Sequence, residues 1–220
     1  MSRISTIWLG CLLAAAPVEA RAQGKWDLAA MGGVFAGHEA EPATAPFRDN
    51  WFQTGQGGVV LGRYVTPHLK FELEMTGTGE GTQFVQRHVS VPGVVFPYPV
   101  GAQAHRSVRS LGTALTWQFL ENQWIHPFVQ AGLSTNFDRR TVHTWPQNFN
   151  SGDPRQGGTV IRVVEEMVEG PHSTTAVRAA VGGGWKLYVS PKLFVRTDGR
   201  ASFGARNYDL AFRVGFGADF

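Results

Sequence analysis

The sequence predicts an all-β fold, an eight-stranded antiparallel up-and-down transmembrane β-barrel, and three observations predict it. Apolar and polar residues alternate in one segment after another beyond residue 24, the pattern of a sheet whose two faces meet different media. Short and long connections take turns between those segments. The last strand, Phe212 to Phe220, alternates most strictly and ends on an aromatic residue.

The chain of 220 residues opens on a segment that is not part of the fold. Arg3 forms a charged start, Ile7 to Ala16 an apolar stretch, and Ala20-Arg21-Ala22 a small-x-small cleavage site, so residues 1–22 read as a secretory signal peptide and 23–220 as the barrel domain. The apolar stretch falls short of the roughly 20 residues that a membrane-spanning helix needs. Cys11, the only cysteine, lies inside it, so the mature chain is expected to have no disulfide, thiolate-metal or cysteine-nucleophile chemistry. Cys11 as a lipid-acylation site fits poorly, because Trp8 stands where such signals usually carry Leu.

Composition points the same way. The chain carries 27 Gly, 15 Phe, 7 Trp and 4 Tyr, and no later apolar run is long enough for a spanning helix. A chain that enters a bilayer without such a run must close its backbone hydrogen bonds between strands. The net charge of +3 is spread along the sequence, and no nucleic-acid partner is expected.

The strands can be taken in order. Lys25 to Ala36 places Trp26, Leu28, Ala30, Gly32 and Val34 on one face, and Gly55 to Val65 follows. Leu69, Phe71, Leu73 and Met75 alternate with Lys70, Glu72, Glu74 and Thr76. Leu111, Thr113, Leu115, Trp117 and Phe119 oppose Ser110, Gly112, Ala114, Thr116 and Gln118. Pro127, Val129, Ala131 and Leu133 oppose Phe128, Gln130, Gly132 and Ser134. Ser173 to Val189 and Lys192 to Phe203 lead to the last strand, where Leu210, Phe212, Val214, Phe216, Ala218 and Phe220 oppose Asp209, Ala211, Arg213, Gly215, Gly217 and Asp219. One face suits lipid and the other a polar interior.

Tyr64-Val65-Thr66-Pro67-His68-Leu69 and Tyr188-Val189-Ser190-Pro191-Lys192-Leu193 are near copies of one tight turn, with Pro fixing φ where a strand must stop. Glu121 to Gln123 makes a third short turn. Longer connections run from Gly37 to Asn50, Gly77 to Gln103 and Arg140 to Gly170, with a brief one at Ala205 to Asn207. With both termini in the periplasm, the short turns fall on that side and the long loops outside. Trp26, Tyr64, Trp117, Phe119, Trp124, Tyr188 and Phe220 then map near the periplasmic end and are expected to form an interfacial girdle.

With these features the chain resembles the small outer-membrane β-barrel proteins of the OmpA and OmpX type. The resemblance covers Gly24 to Phe220 and rests on the leader, the alternating strands, the Tyr-Val-Ser-Pro-Lys-Leu turn and the terminal Phe. It implies an outer-membrane location, contact with outer-membrane lipids, and recognition of the terminal strand by the outer-membrane assembly machinery. Loss of Phe220 is accordingly expected to impair assembly. No sequence follows Phe220, so wall anchoring through a soluble domain after the barrel is not expected.

Even-odd parity sends Asp27, Glu72, Glu74, Asp198 and Asp219 to the interior with Arg63, Lys70, Arg178, Lys186, Arg196, Arg200 and Arg213. Buried charges must pair, so the expected interior is a polar, charged plug, with a narrow porin-like channel as the alternative. Alternation alone leaves the sign open, since a soluble lipocalin-type barrel would turn its apolar face inward. The girdle, the alternating turn lengths and the terminal Phe favour the membrane.

No cofactor, metal site or catalytic residue is expected. His172-Ser173 with His143 would be the base and nucleophile of a lipid A-modifying enzyme, but no second motif supplies an orienting carboxylate. His38, His68, His88, His105 and His126 are dispersed without metal-ligand spacing. Gly182-Gly183-Gly184 lacks the Lys and Ser or Thr of a phosphate loop and reads as relief of crowding within a strand. Two connections are candidate surfaces for an extracellular partner: the apolar, Pro-rich Val89 to Val100, and the alternating Thr159 to Val168, which suggests that the fifth and sixth segments project beyond the membrane. The expected role is structural or surface-interacting.

Overall fold

Strand follows strand in the computed structural model, which describes residues 25–39, 51–89, 98–120, 124–151, 159–205 and 207–220. In chain order they are β1 (Trp26–Glu39), β2 (Trp51–Tyr64), β3 (Leu69–Thr78), β4 (Gly81–Val89), β5 (Tyr98–Gln118), β6 (Ile125–Thr144), β7 (Gln147–Ser151), β8 (Thr159–Val164), β9 (Met167–Tyr188), β10 (Leu193–Phe203) and β11 (Asn207–Asp219). Every pairing is antiparallel. β3 and β4 both pair with β5, along its C-terminal and N-terminal halves, and act as one interrupted stave. Counted so, the wall has eight staves and closes on itself, while β7 and β8 form a separate hairpin.

The seam joins the ends of the chain. β1 pairs with β11 from Asp27↔Asp219 to Glu39↔Asn207, and Trp26 and Phe220 exchange backbone hydrogen bonds of 3.1 and 2.9 Å below it. Phe220 therefore sits beside Trp26 at the rim, as the alternation required.

The two copied turns are built alike. The amides of Val65 and Thr66 donate to the Leu69 carbonyl, and those of Val189 and Ser190 to the Leu193 carbonyl. The hydroxyls of Thr66 and Ser190 accept from the Leu69 and Leu193 amides at 2.9 and 3.1 Å. Pro67 and Pro191 have no amide to leave unpaired at these corners. The third short turn, residues 121–123, lies outside the described residues, as do the expected leader 1–22 and residues 40–50 and 90–97 of the long connections.

Two expected loops are largely strand. The stretch Gly77 to Gln103 contains β4 and the start of β5, and Arg140 to Gly170 contains the end of β6, β7, β8 and the start of β9. β6 and β9 stay paired as far as Thr144↔Met167, whereas β10 stops at Phe203, opposite Ala179. The β5–β6–β9 side of the wall thus rises well above the β10–β11 side, which is the projection foreseen from Thr159 to Val168.

Glycine marks the tightest strand contact. A methyl group at Gly184 would lie 1.8 Å from the Thr197 carbonyl oxygen of β10, so the close approach of β9 and β10 depends on its absence. Gly184→Ala is expected to cost about 1–3 kcal/mol. Gly199→Ala, whose methyl meets nothing within 4 Å, should stay within about 0.5 kcal/mol of the parent. Urea unfolding in detergent, followed by tryptophan fluorescence, separates the two; equal midpoints would contradict the packing described.

Candidate functional site

Polarity is settled within a single strand. In β11 Phe216 is 72 % exposed while Arg213, three residues earlier, is 1 % exposed. The same holds around the wall: Leu73 and Met75 of β3, Leu111 and Leu115 of β5, Leu133 of β6 and Val181 of β9 face outward, and Lys70, Glu72, Gln130, Arg178 and Lys186 face inward. An apolar exterior around a charged interior is the arrangement for a bilayer. It rules out the lipocalin-type alternative, which needs the opposite.

The interior is an unbroken chain of ion pairs. At the rim near both termini, Lys186 Nζ lies 2.6 Å from Asp219 and 3.0 Å from Asp27 and donates to the Tyr64 hydroxyl at 2.9 Å. The Tyr188 hydroxyl donates to the second oxygen of Asp219. Lys70 carries the chain upward, bridging Asp27 at 2.7 Å and Glu72 at 2.6 Å. Arg196 grips Glu72 with two parallel bonds of 2.7 and 3.0 Å, donates to Gln130 at 3.1 Å, and reaches Asp198 at 3.2 Å. Arg213 holds Asp198 and Glu74, at 2.7 and 2.8 Å, and Arg200 closes on Glu74 at 2.5 Å.

Bidentate Arg–carboxylate geometry fixes orientation as well as charge. Each inward carboxylate named here has a cation, which is the condition for holding such charges away from water. The aromatic rings of the core serve the same network: Phe128 lies under the Arg196 guanidinium at 4.6 Å and Phe194 under Lys186 at 3.8 Å.

Above Glu74 and Arg200 the lumen holds a cavity of about 30 Å³ bounded by Gln56, Thr76, Ser134, Asn136 and Asp209, room for a water or two. A second polar layer follows. Asp209 takes Arg178 and accepts from Asn136 at 3.2 Å, Ser110 donates to Asn136 at 2.9 Å, and Arg106 pairs with Asp138. Phe35, Phe52 and Val108 pack beside it, with the Arg106 guanidinium 4.7 Å from the Phe52 ring.

The parity reading placed these charges correctly with one exception. Arg63 points outward and lies 5.3 Å over the Trp26 ring, because in β2 the even residues Phe52, Val60 and Gly62 face the lumen. Tyr64 and Tyr188 are a second correction. They share the inward face with Gly62 and Lys186, so they belong to the ion network and not to the girdle. Trp26, Trp117, Phe119, Trp124 and Phe220 do form an exposed aromatic rim, which Trp185 joins. Arg106 and Asp138 were missing from the expected interior, whereas Asp209 is buried as its place on the polar face of the last strand implied.

The histidines do not converge. His143 pairs with Glu166 at 2.8 Å and His105 lies 3.5 Å from Glu80, both histidines half-buried, and the exposed His172 lies 3.9 Å from Glu169. His38 stacks on Tyr208 at 4.3 Å, and His68 stacks on Trp117 at 5.5 Å. His126 is buried edge-on to Tyr188, and the side chain of His88 lies outside the described residues. Among the described residues no group of three or more His, Cys, Asp or Glu is placed to hold a metal ion.

No family model and no curated protein matches the sequence. Solved structures do. The chain is similar to Neisserial surface protein A with a TM-score of 0.55 and 13% identity over 91% of this chain and 100% of that one. The N-terminal β-barrel domain of Pseudomonas aeruginosa OprF aligns at 0.48 and 14%, covering 90% and 100% of the two chains. The outer membrane protease OmpT from Escherichia coli aligns at 0.48 and 11%, covering 92% and 99%. At such identities the likeness concerns the fold, and a fold does not by itself assign an activity. In architecture the chain is a closed antiparallel β-barrel of eight staves, the fold that these outer-membrane proteins have.

Proposed function

We propose that the mature chain is an outer-membrane β-barrel with a closed lumen, serving a structural or surface-interaction role without catalytic turnover. The observation that carries this reading is the ion-pair chain from Asp219 through Lys186, Asp27, Lys70, Glu72, Arg196, Asp198 and Arg213 to Glu74. An eight-stranded barrel is only wide enough for its own side chains, and here they are locked together across the bore. What remains for interaction is the outer face and the taller β5–β6–β9 wall, which would meet an extracellular partner. The leader 1–22 would be removed on export, and the strand ending at Phe220 would present the chain to the assembly machinery.

Two measurements test this. Cell fractionation is expected to recover the protein in the detergent-extracted outer membrane, with gel mobility that changes on heating; recovery in the soluble periplasm would refute the placement. In planar bilayers the refolded barrel is expected to pass no steady current. A steady conductance that changes with Glu72→Gln would establish the channel reading instead.

A further inference from the structure

High on the tall wall, far from the rim at the termini, two large aromatic rings lie in the open. Phe84 of β4 is 60 % exposed and Trp145, just beyond β6, is 36 % exposed, while Gln83 and Val85 on either side of Phe84 are buried. Phe84 therefore points outward. Its neighbour across the ladder is Gln103 of β5, and the next neighbour in the row is His143 of β6. The last β5–β6 pairing is Ala102↔Thr144, so Gly101 is the β5 residue at the level of Trp145 and puts no side chain between that ring and Phe84.

The Trp145 ring centroid lies 6.2 Å from that of Phe84 with the planes 40° apart, and 6.1 Å from that of His143 with the planes 66° apart. The three rings thus form a corner and not a flat stack. Glu166 stands at its edge, 2.8 Å from His143 Nε2, with its own side chain exposed. From Trp117 to Gln103 along β5, a rise of ~3.3 Å per residue at a tilt near 40° amounts to ~35 Å. A barrel's apolar band is ~25 Å tall, so the corner sits roughly 10 Å beyond the reach of acyl chains. Its rings are not an interfacial girdle.

We infer that Phe84, Trp145 and His143, with Glu166, form an open aromatic cage for a quaternary ammonium ligand of the phosphocholine class. Ring faces carry the negative side of the aromatic quadrupole and attract a cation held within ~6 Å of their centroids. A carboxylate at the edge adds to that field. A quaternary ammonium has no N–H group to satisfy, so ring faces alone can enclose it. Gln103 in the same row and Thr141 two residues below His143 offer the N–H and O–H donors that a phosphate beside the ammonium needs. The site gives a chemistry to the extracellular partner of the tall wall and rests on that reading for its physiological occupant.

The experiment is calorimetric titration of the refolded barrel, in a polyoxyethylene detergent, with choline, phosphocholine and the uncharged tert-butyl isostere of choline. Saturable binding of phosphocholine is expected, at least as tight as that of choline, with the isostere weaker by about tenfold. Trp145→Leu should weaken choline by a similar factor, whereas Trp145→Phe, which keeps an aromatic face, should retain most of the affinity. Heat-modifiable gel mobility confirms that each variant is folded. No saturable binding, equal binding of the isostere, or unchanged affinity in Trp145→Leu would overturn the cage. Binding of methyl glucoside in place of choline would overturn it in favour of a sugar platform, and tighter binding of trimethyllysine than of phosphocholine would overturn the ligand class in favour of a methylated peptide. The titration needs no membrane, so its failure strikes the cage, while recovery of the protein in the periplasm strikes the placement.

Discussion

Glu72→Ala is expected to lower the unfolding free energy of the barrel by about 3–5 kcal/mol, the cost of leaving buried charge uncompensated. Glu72 is 2 % exposed and joins two cations, taking both forks of Arg196 and the ammonium of Lys70. Its loss leaves Arg196 with Asp198 and Gln130 alone and Lys70 with Asp27 alone. Replacing the pair together, as Glu72→Leu with Arg196→Met, should recover most of the loss, since apolar side chains of similar volume remove the need for compensation. Urea unfolding in detergent or lipid vesicles measures both. A loss below about 1 kcal/mol for Glu72→Ala would mean that the lumen is screened by water like an exposed surface, and the plug would have to be redrawn as a wet channel.

The second large effect is expected at Phe194. This ring is 1 % exposed, packs with Ala29, Met31, Val60 and Tyr188, and lies 3.8 Å from the Lys186 ammonium. Gly217 makes way for it, because a methyl group there would come within 2.2 Å of the ring. Phe194→Ala should cost about 3–5 kcal/mol through lost burial and the cavity left behind. Phe194→Leu keeps most of the volume and loses the aromatic face, so a smaller loss of about 1–2 kcal/mol isolates the cation–π part. Equal losses for the two variants would assign the whole effect to the ring's charge contact.

Legibility in the sequence followed the exposed apolar band of the wall. Where a strand crosses the apolar band, one face must be apolar, and that row fixes the phase: β3, β11 and the lower half of β5 could be read residue by residue, and with them Glu72, Glu74, Arg213 and Asp219. Above the band the row ends. The end of β6, with Asn136, Asp138, Arg139 and Arg140 in close succession, is polar on both faces, and β4 and the upper half of β5 turn small apolar residues such as Val85, Val100, Ala102 and Ala104 inward, so they looked like loops. Arg106 and Asp138 were lost to that reading.

Arg63 was misplaced for another reason. Gly55, Gly57, Gly58 and Gly62 interrupt β2 and Val59-Val60-Leu61 is apolar throughout, so nothing in the strand sets its phase. Tyr188 was within reach. It stands two residues from Lys186 and so on the same face, but residue type and closeness to the rim suggested the girdle instead.

Lys186 gives the barrel's closure an ionic condition. Asp219 comes to it through the β9–β10–β11 succession, 33 residues along the chain, but Asp27 is 159 residues away and belongs to the first strand. Asp27 arrives only when β1 zips against β11. Until then Lys186 lacks one of its two carboxylates, while Lys70 already meets Asp27 through the β1–β2–β3 succession, 43 residues along the chain. The Lys186–Asp27 bridge and ring closure are thus a single event, and an intermediate sheet with its edges still apart has both edge backbone and this bridge unsatisfied. Contacts this distant in sequence make closure slow; tying the charges to it makes the finished ring an all-or-none product.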